Sequence, residues 1–107
     1  MINNNTISII GGAGHIGLPL AVKLAEKNFI VNIVDTNKKN LDKIKKKIPP
    51  FKEKDLKTRL AKAIDYKKLL FSKDLSSISN SKYIIICLGT PISKKLKPDL
   101  NSFFDLF

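Results

Sequence analysis

The first third of the chain alternates between two apolar patterns. Residues 6–10 form a short β-branched run that ends at two glycines, which predicts a strand. From Gly14 the apolar residues recur at helical spacing, and we expect this helix to end near Asn28, with Pro19 in its first turn. The run at residues 29–35 predicts a second strand.

The middle of the chain predicts two helices in succession. Asn37 is placed to cap the first of them, and Pro49 follows as a stop signal. The apolar face of this helix is predicted to comprise Leu41, Ile44 and Ile48. The second helix is predicted to begin near Glu53, and its apolar face is Leu56, Leu60, Ala63 and Ile64.

The last third predicts two further strands. Residues 68–72 form a short apolar run, and Asp74 is placed to cap a helical turn after it. Residues 83–88 are continuously apolar, which is typical of a parallel strand with both faces buried. A last helix, capped by Asp99 or Asn101, is predicted to begin shortly before residue 107.

This order of elements predicts an α/β fold. Strands that alternate with helices form a parallel sheet with helices packed on its faces. We expect a partial Rossmann fold, a doubly wound parallel sheet of about four strands in the order 3-2-1-4 with flanking helices. The strand at residues 83–88 is then expected to be an exposed apolar edge.

A glycine fingerprint lies between the first strand and the first helix. Gly12, Gly14 and Gly17 form a G-x-G-x-x-G pattern in the strand–helix–strand context that dinucleotide binding requires. Gly12 is expected to permit the tight turn, Gly14 to let the backbone approach a pyrophosphate, and Gly17 to let helix and strand pack closely. The N–H groups near His15 and Ile16 are expected to face the phosphates at the positive end of the helix dipole.

Asp35 ends the second predicted strand, about 20 residues after the glycines. A carboxylate there is expected to hold the adenosine ribose and to repel a 2′-phosphate, so NAD is favoured over NADP. The Thr90 hydroxyl, in the loop after the fourth strand, is a candidate for contact with a cofactor ribose or phosphate. The alternative is that the glycines and the Thr90 loop are simple turns and Asp35 is only a cap.

Composition limits the class of protein. The chain has 107 residues, of which 43% are apolar and 27% charged, as in ordinary globular domains. Its single cysteine, Cys87, excludes an intramolecular disulfide, and no apolar run is long enough to span a bilayer. We expect a cytoplasmic protein with no membrane association and no metal site. Cys87 is interpreted as an inert core residue, and the His15 side chain as exposed rather than catalytic.

The charge is unevenly distributed. The formal net charge is +11, and residues 36–73 carry +10 of it. Nineteen of the 20 basic residues are lysine, whereas nucleic-acid readers usually include arginine. We interpret the excess as solvated helix faces and expect no nucleic-acid partner, although nucleic-acid binding and the steering of an anionic ligand remain alternatives.

Taken together, these segments resemble the start of the UDP-glucose/GDP-mannose dehydrogenase family. The matching stretches are IIGGAGHIGLPL at 9–20, VDTN at 34–37, PFKEKDL at 50–56, ICLGTP at 86–91 and PDL at 98–100. The Gly-Leu-Pro after the fingerprint and the Gly-Thr-Pro with its downstream Pro-Asp-Leu are the discriminating parts. Within the family the sequence is most similar to the UDP-N-acetyl-D-mannosamine 6-dehydrogenase type.

The resemblance implies an NAD-dependent, two-step oxidation of the C6 alcohol of a UDP-sugar to a uronate, a step of polysaccharide biosynthesis. Residues 1–107 would be the N-terminal NAD-binding Rossmann domain, truncated, with the central and C-terminal catalytic and substrate domains absent. The catalytic Cys, Lys and Asn of the family lie in those later domains, so no catalytic residue is assigned here, and Cys87 is not the nucleophile. A full-length enzyme is expected to be a homo-oligomer.

The cofactor-binding residues that the resemblance assigns are Gly12, Gly14, His15, Ile16, Gly17, Asp35 and Thr90. Many members carry a basic residue five places after the strand-end Asp. This sequence departs from that pattern with Asn40, beside Lys38 and Lys39.

Two other functions remain open. The chain is alternatively a non-catalytic nucleotide-binding module, or the N-terminal part of another NAD-dependent dehydrogenase of the 3-hydroxyacid or 6-phosphogluconate type. The Gly-Leu-Pro after the fingerprint counts against the latter, which usually continue into a Met-Gly or Met-Ala stretch. We expect the isolated chain to be inactive and to self-associate.

Overall fold

The predicted alternation of strands and helices is present in the computed structural model, which describes residues 3–87. The elements are β1 (Asn3–Ile10), α1 (Gly17–Glu26), β2 (Ile30–Val34), α2 (Lys38–Lys45), α3 (Leu56–Asp65), β3 (Leu69–Ser72), a 3₁₀ helix (Leu75–Asn80) and β4 (Ser81–Ile86). Within this range the helices are too short and too polar for any of them to cross a lipid bilayer.

The four strands form one parallel sheet in the order β3-β2-β1-β4. Ile9 of β1 lies opposite Ile33 of β2 on one side and Ile85 of β4 on the other. The predicted strand order and the α/β class are therefore confirmed. Because all strands run in one direction, the loops that follow β1 and β2 lie at the same edge of the sheet.

The core lies between the sheet and the three α-helices. The inward residues of β1 and β2 are fully or nearly fully buried, and the apolar faces of the helices pack on them. The buried apolar residues of the helices are Leu18, Ala21, Val22, Ala25, Leu41, Ile44, Leu56, Leu60 and Ala63. The lysines of α2 and α3 are exposed, as the solvated-face interpretation predicts.

The opposite face of the sheet carries a polar network. Asn32 of β2 is 5% exposed, and its amide nitrogen donates hydrogen bonds to Ser8 Oγ at 3.2 Å and to Ser77 Oγ at 3.0 Å. The Ser8 hydroxyl is also hydrogen-bonded to that of Ser81 at the start of β4. The 3₁₀ helix has no fully buried side chain, and the bond from Asn32 to Ser77 joins it to the sheet.

The helix predicted after Asn37 is shorter than its pattern indicated. Asn37 does cap α2, because its side chain accepts a hydrogen bond from Asn40 N at 3.0 Å. The helix ends at Lys45, however, and Lys47 has a left-handed φ of 68°. Ile48 consequently leaves the apolar face and is 46% exposed, so its predicted place on that face is wrong.

Two expectations for the last third are also wrong. The side chain of Asp74 makes no capping hydrogen bond; instead its carbonyl oxygen accepts from Ser77 Oγ at 2.9 Å. Both faces of β4 were expected to be buried, yet Tyr83 and Ile84 are 55% and 47% exposed. Within the described range β4 pairs only with β1, so it is the exposed apolar edge that the strand order implied. The predicted last helix and the Thr90 loop lie outside the described residues.

Candidate dinucleotide-binding site

The loop between β1 and α1 turns sharply at a glycine that the fingerprint does not include. Gly11 has a left-handed φ of 83°, and Gly11 is the only glycine of residues 3–87 with a positive φ. Its N–H donates to Val34 O of β2 at 2.7 Å. Gly12, to which the fingerprint assigns the tight turn, follows Gly11 in the same turn, and the left-handed residue of the turn is Gly11. The sequence signal for this turn was the additional glycine, Gly11, which directly follows the strand and precedes the fingerprint.

Gly12 and Gly17 are required by close contacts inside the protein. A Cβ on Gly12 would lie 2.8 Å from Ile33 Cγ2 and 3.0 Å from Ile9 O. A Cβ on Gly17 would lie 2.3 Å from Gly11 O, a backbone atom that could make room only if the turn or the helix shifted. Gly17 therefore permits the close approach of α1 to the turn, as predicted.

Gly14 differs from both, because nothing among residues 3–87 excludes a side chain there. A Cβ on Gly14 would meet only Gly11 O, at an ordinary 3.5 Å. Gly14 is half-buried, and His15 and Ile16 beside it are exposed. The absence of a side chain at this position leaves bare backbone at the surface of the loop, which is the surface that a pyrophosphate would approach.

The N-terminus of α1 has no side-chain cap. Ile16 occupies the N-cap position with an apolar side chain that is 74% exposed, and the first turn holds no acidic residue. Most helices satisfy these first N–H groups with a Ser, Thr, Asp or Asn side chain. An uncapped N-terminus instead leaves N–H groups and the positive end of the helix dipole available to an anion.

The sheet brings Asp35 into contact with the glycine loop. Its Oδ2 accepts a hydrogen bond from Ala13 N at 3.0 Å, and its Oδ1 accepts from Asn37 N at 2.9 Å. These two bonds orient the carboxylate at the end of β2 beside the loop. The arrangement places the ribose-binding candidate and the phosphate-binding candidates at one end of the sheet.

Lysines lie close to this end of the sheet. A cavity of about 170 Å³ lies between α2 and the end of β3. Lys38, Lys45 and Lys73 are among its lining residues, and Lys45 Nζ lies 5.9 Å from the centre of the Phe71 ring. Asn40 occupies the position where many members of the family carry a basic residue. Its backbone N–H donates to the Asn37 side chain that caps α2.

His15 has an aromatic partner that sequence reasoning missed. Its ring stacks on that of Phe51, with the ring centres 4.3 Å apart and the planes 19° from parallel. Phe51 belongs to the connection between α2 and α3, 36 residues further along the chain. The only sequence signal was the position of Phe51 inside the matching PFKEKDL stretch.

Neither a metal-holding cluster nor an activated thiol is found among the described residues. Within residues 3–87 no three His, Cys, Asp or Glu side chains are grouped so as to hold a metal ion. Cys87 is half-buried, and burial raises the pKa of its thiol above the ordinary value. Thr90, the remaining predicted site residue, lies outside the described range.

Comparison with known proteins identifies relatives over nearly the whole chain. Residues 5–106 match the model of the NAD-binding domain of the UDP-glucose/GDP-mannose dehydrogenase family. An uncharacterized protein of Methanocaldococcus jannaschii is 35% identical over 92% of this chain and 11% of its own length. UDP-N-acetyl-D-glucosamine 6-dehydrogenase of Salmonella typhi is 31% identical over 94% of this chain and 22% of its own.

Solved structures show the same similarity. A GDP-mannose dehydrogenase from Pseudomonas aeruginosa superimposes with a TM-score of 0.85 at 28% identity, covering 94% of this chain and 23% of that one. A UDP-D-ManNAc dehydrogenase from Pyrococcus horikoshii gives a TM-score of 0.82 at 28% identity, covering 92% and 23%. The chain thus spans about a quarter or less of the length of these relatives.

Proposed function

Since this chain belongs to the UDP-glucose/GDP-mannose dehydrogenase family and matches its NAD-binding domain, we propose that it is the NAD-binding portion of a nucleotide-sugar 6-dehydrogenase. The reaction proposed for such an enzyme is the oxidation of the C6 alcohol of a UDP-sugar to a uronate. Bound NAD supplies the hydride acceptor for this chemistry. The role of the present residues is to bind and orient the cofactor.

The observation that carries the proposal is the hydrogen bond between Asp35 and the glycine loop. Residues 22 positions apart in the chain meet at 3.0 Å, so the Asp35 carboxylate and the loop that leads into the uncapped N-terminus of α1 share a site. A dinucleotide presents hydroxyls and a pyrophosphate a short distance apart, which is the same pairing of groups. The residues present therefore fit NAD.

We propose separate roles for these residues. His15 and Ile16 offer backbone N–H groups to the pyrophosphate, and Gly14, whose own N–H donates to Gly11 O, leaves room for it to approach. Gly12 and Gly17 give the loop its shape. Asp35 accepts hydrogen bonds from the adenosine ribose, for which its oxygens have lone pairs beyond those used by Ala13 and Asn37. Thr90 is proposed to contact the cofactor from the loop that follows β4.

The whole enzyme is a broader proposal. We propose that turnover needs the central and C-terminal segments that make up the rest of the relatives, because the family resemblance places the catalytic Cys, Lys and Asn in those segments. A UDP-sugar as substrate, a homo-oligomer as the assembled form and the cytoplasm as the location belong to the same proposal. The names of the relatives include N-acetylglucosamine, N-acetylmannosamine and glucose types, so the sugar is left general.

Calorimetric titration of the 107-residue chain with NAD, ADP-ribose and NADP tests the cofactor role. NAD and ADP-ribose are expected to bind and NADP to bind more weakly, because the Asp35 carboxylate repels a 2′-phosphate. Asp35→Ala is expected to weaken the binding of NAD and of ADP-ribose by roughly 10- to 100-fold, because hydrogen bonds to a charged acceptor are lost. The preference for NAD over NADP should shrink at the same time.

Asp42→Asn serves as the matched control, since it removes an exposed carboxylate of α2 without touching the loop. It should leave the NAD affinity unchanged. Failure of a folded wild-type chain to bind either NAD or ADP-ribose would refute the cofactor role. A DNA affinity that falls steeply with salt and is unchanged by Asp35→Ala would favour the nucleic-acid alternative instead.

A further inference from the structure

The stack between His15 and Phe51 links the glycine-rich loop to the connection between α2 and α3, which lies outside the glycine fingerprint. His15 lies between Gly14 and Gly17, where the backbone has few side chains to restrain it. The exposed His15 ring is held by Phe51 at a centre-to-centre distance of 4.3 Å. A contact that fixes the His15 side chain also restricts the backbone angles of the residue that carries it.

Phe51 is itself fixed in place. It is half-buried and packs against the main core cluster, and this packing restricts the motion of its ring. The connection on which it lies begins and ends in left-handed residues, Lys47 at φ 68° and Asp55 at φ 62°. Conformations of this kind are unfavourable for residues with a side chain and persist where the surrounding structure holds them.

From this geometry we infer that Phe51 is a positioning residue for the cofactor site, acting through His15 on the exposed Gly14–Ile16 segment. The inference rests on the proposed NAD-binding function. In the absence of the stack the glycine-rich loop samples more conformations, and a ligand has to restrict them when it binds. With the stack in place the loop is already restricted before the ligand binds. The affinity is therefore higher without any contact between Phe51 and the ligand.

NAD titration of variants tests this inference. Phe51→Leu keeps apolar volume against the core but removes the aromatic face, and it is expected to raise the Kd for NAD about three- to tenfold. His15→Ala should give a similar loss. The Kd of the double variant for NAD should not exceed the larger of the two single-variant values, because both substitutions remove the same interaction.

Two further variants separate positioning from packing. Phe51→Trp retains an aromatic face and should restore most of the affinity. Ile48→Ala, at an exposed apolar residue of the same connection, should leave the Kd unchanged. Additive effects of Phe51→Leu and His15→Ala, or a Phe51→Leu variant that is less stable but binds NAD normally, would overturn the inference.

A measurement without NAD distinguishes this inference from the proposed function. Backbone NMR order parameters of Gly14, His15 and Ile16 should fall in Phe51→Leu and remain high in Ile48→Ala, while those of α1 stay unchanged. Order parameters that do not change in Phe51→Leu would overturn the positioning role even if NAD binds. A wild-type chain with a rigid loop that does not bind NAD would instead refute the proposed function alone.

Discussion

The glycines of the loop between β1 and α1 meet different physical demands, and substitution by alanine separates them. Gly14→Ala places a Cβ where the protein has space, so folding stability should hardly change. The same Cβ stands between the backbone and a pyrophosphate, and NAD affinity should fall by roughly tenfold or more. Chemical unfolding and NAD titration of the same sample check both expectations.

Gly17→Ala is the matched comparison, because the same substitution is made at a glycine that packing requires. Its Cβ would lie 2.3 Å from Gly11 O, so either the helix or the turn has to shift. Overpacking of this kind costs about 1–3 kcal/mol or more, and the free energy of unfolding should fall by that amount. A Gly14→Ala variant as unstable as Gly17→Ala would contradict the assignment of Gly14 to ligand approach.

Cys87 is expected to be poorly reactive. Burial raises the pKa of its thiol, so less of it is the nucleophilic thiolate at neutral pH. Alkylation by iodoacetamide at pH 7–8 should be slower in the folded chain than in urea, and the two rates should converge as the pH rises above the thiol's raised pKa. Equal rates at pH 7 would show an accessible, unperturbed thiol.

Among the elements, α1 and α3 are joined by a forked ion pair. Arg59 Nε donates to Glu26 Oε2 at 2.9 Å and Arg59 Nη2 to Glu26 Oε1 at 2.6 Å. Hydrogen bonding from Arg59 lowers the pKa of the Glu26 carboxyl below its ordinary value of 4.5. Because both side chains are more than a third exposed, solvent screening limits the contribution to below about 1 kcal/mol.

The pH dependence follows from the direction of this shift. A lowered carboxyl pKa contributes stability that is complete above the unfolded value and is lost as the pH falls through the folded one. Glu26→Gln should therefore destabilise the chain slightly at pH 7 and not at all once the wild-type carboxyl is protonated. Urea unfolding at several pH values measures this, and in an Arg59→Ala background Glu26→Gln should have almost no effect.

The elements also show where local sequence patterns succeed. The helical spacing of Leu56, Leu60 and Ala63 predicts a buried face, and all three are buried. Ile48 fits the spacing of α2 equally well, yet the backbone leaves the helix at Lys47 before reaching it. A periodic pattern reports which residues could share a face, whereas the end of a helix depends on backbone angles that the pattern does not encode.

At the scale of the whole molecule, β4 is an edge strand of the sheet that residues 3–87 form, and its apolar side chains are exposed. Tyr83, Ile84 and Ile86 are 55%, 47% and 46% exposed. An uncovered edge of this kind pairs readily with other chains. Sedimentation analysis of the 107-residue chain should therefore show self-association, and Ile84→Lys should reduce it. Tyr66→Lys, at an exposed aromatic away from the sheet edge, should not.

Catalysis is expected to be absent from the same sample. The 107-residue chain should form no NADH when it is given NAD with UDP-glucose or with UDP-N-acetyl-D-mannosamine, even at concentrations where NAD binds. The physical reason is that a bound cofactor without a nucleophile and a sugar site has no substrate positioned against it. Turnover by the purified chain would refute this division between binding and catalysis.

The sequence by itself determined the class of fold, the strand order and the glycine fingerprint, because these follow from the periodicity of apolar residues and from the special conformations of glycine. It also indicated Asp35, since a carboxylate at the end of the second strand has a defined place in such a sheet. Only the tertiary structure decided that Gly11 bonds to Val34, that Asp35 bonds to the loop, and that Phe51 stacks on His15. These are contacts between residues distant in the chain, and their distances are set by packing rather than by local pattern.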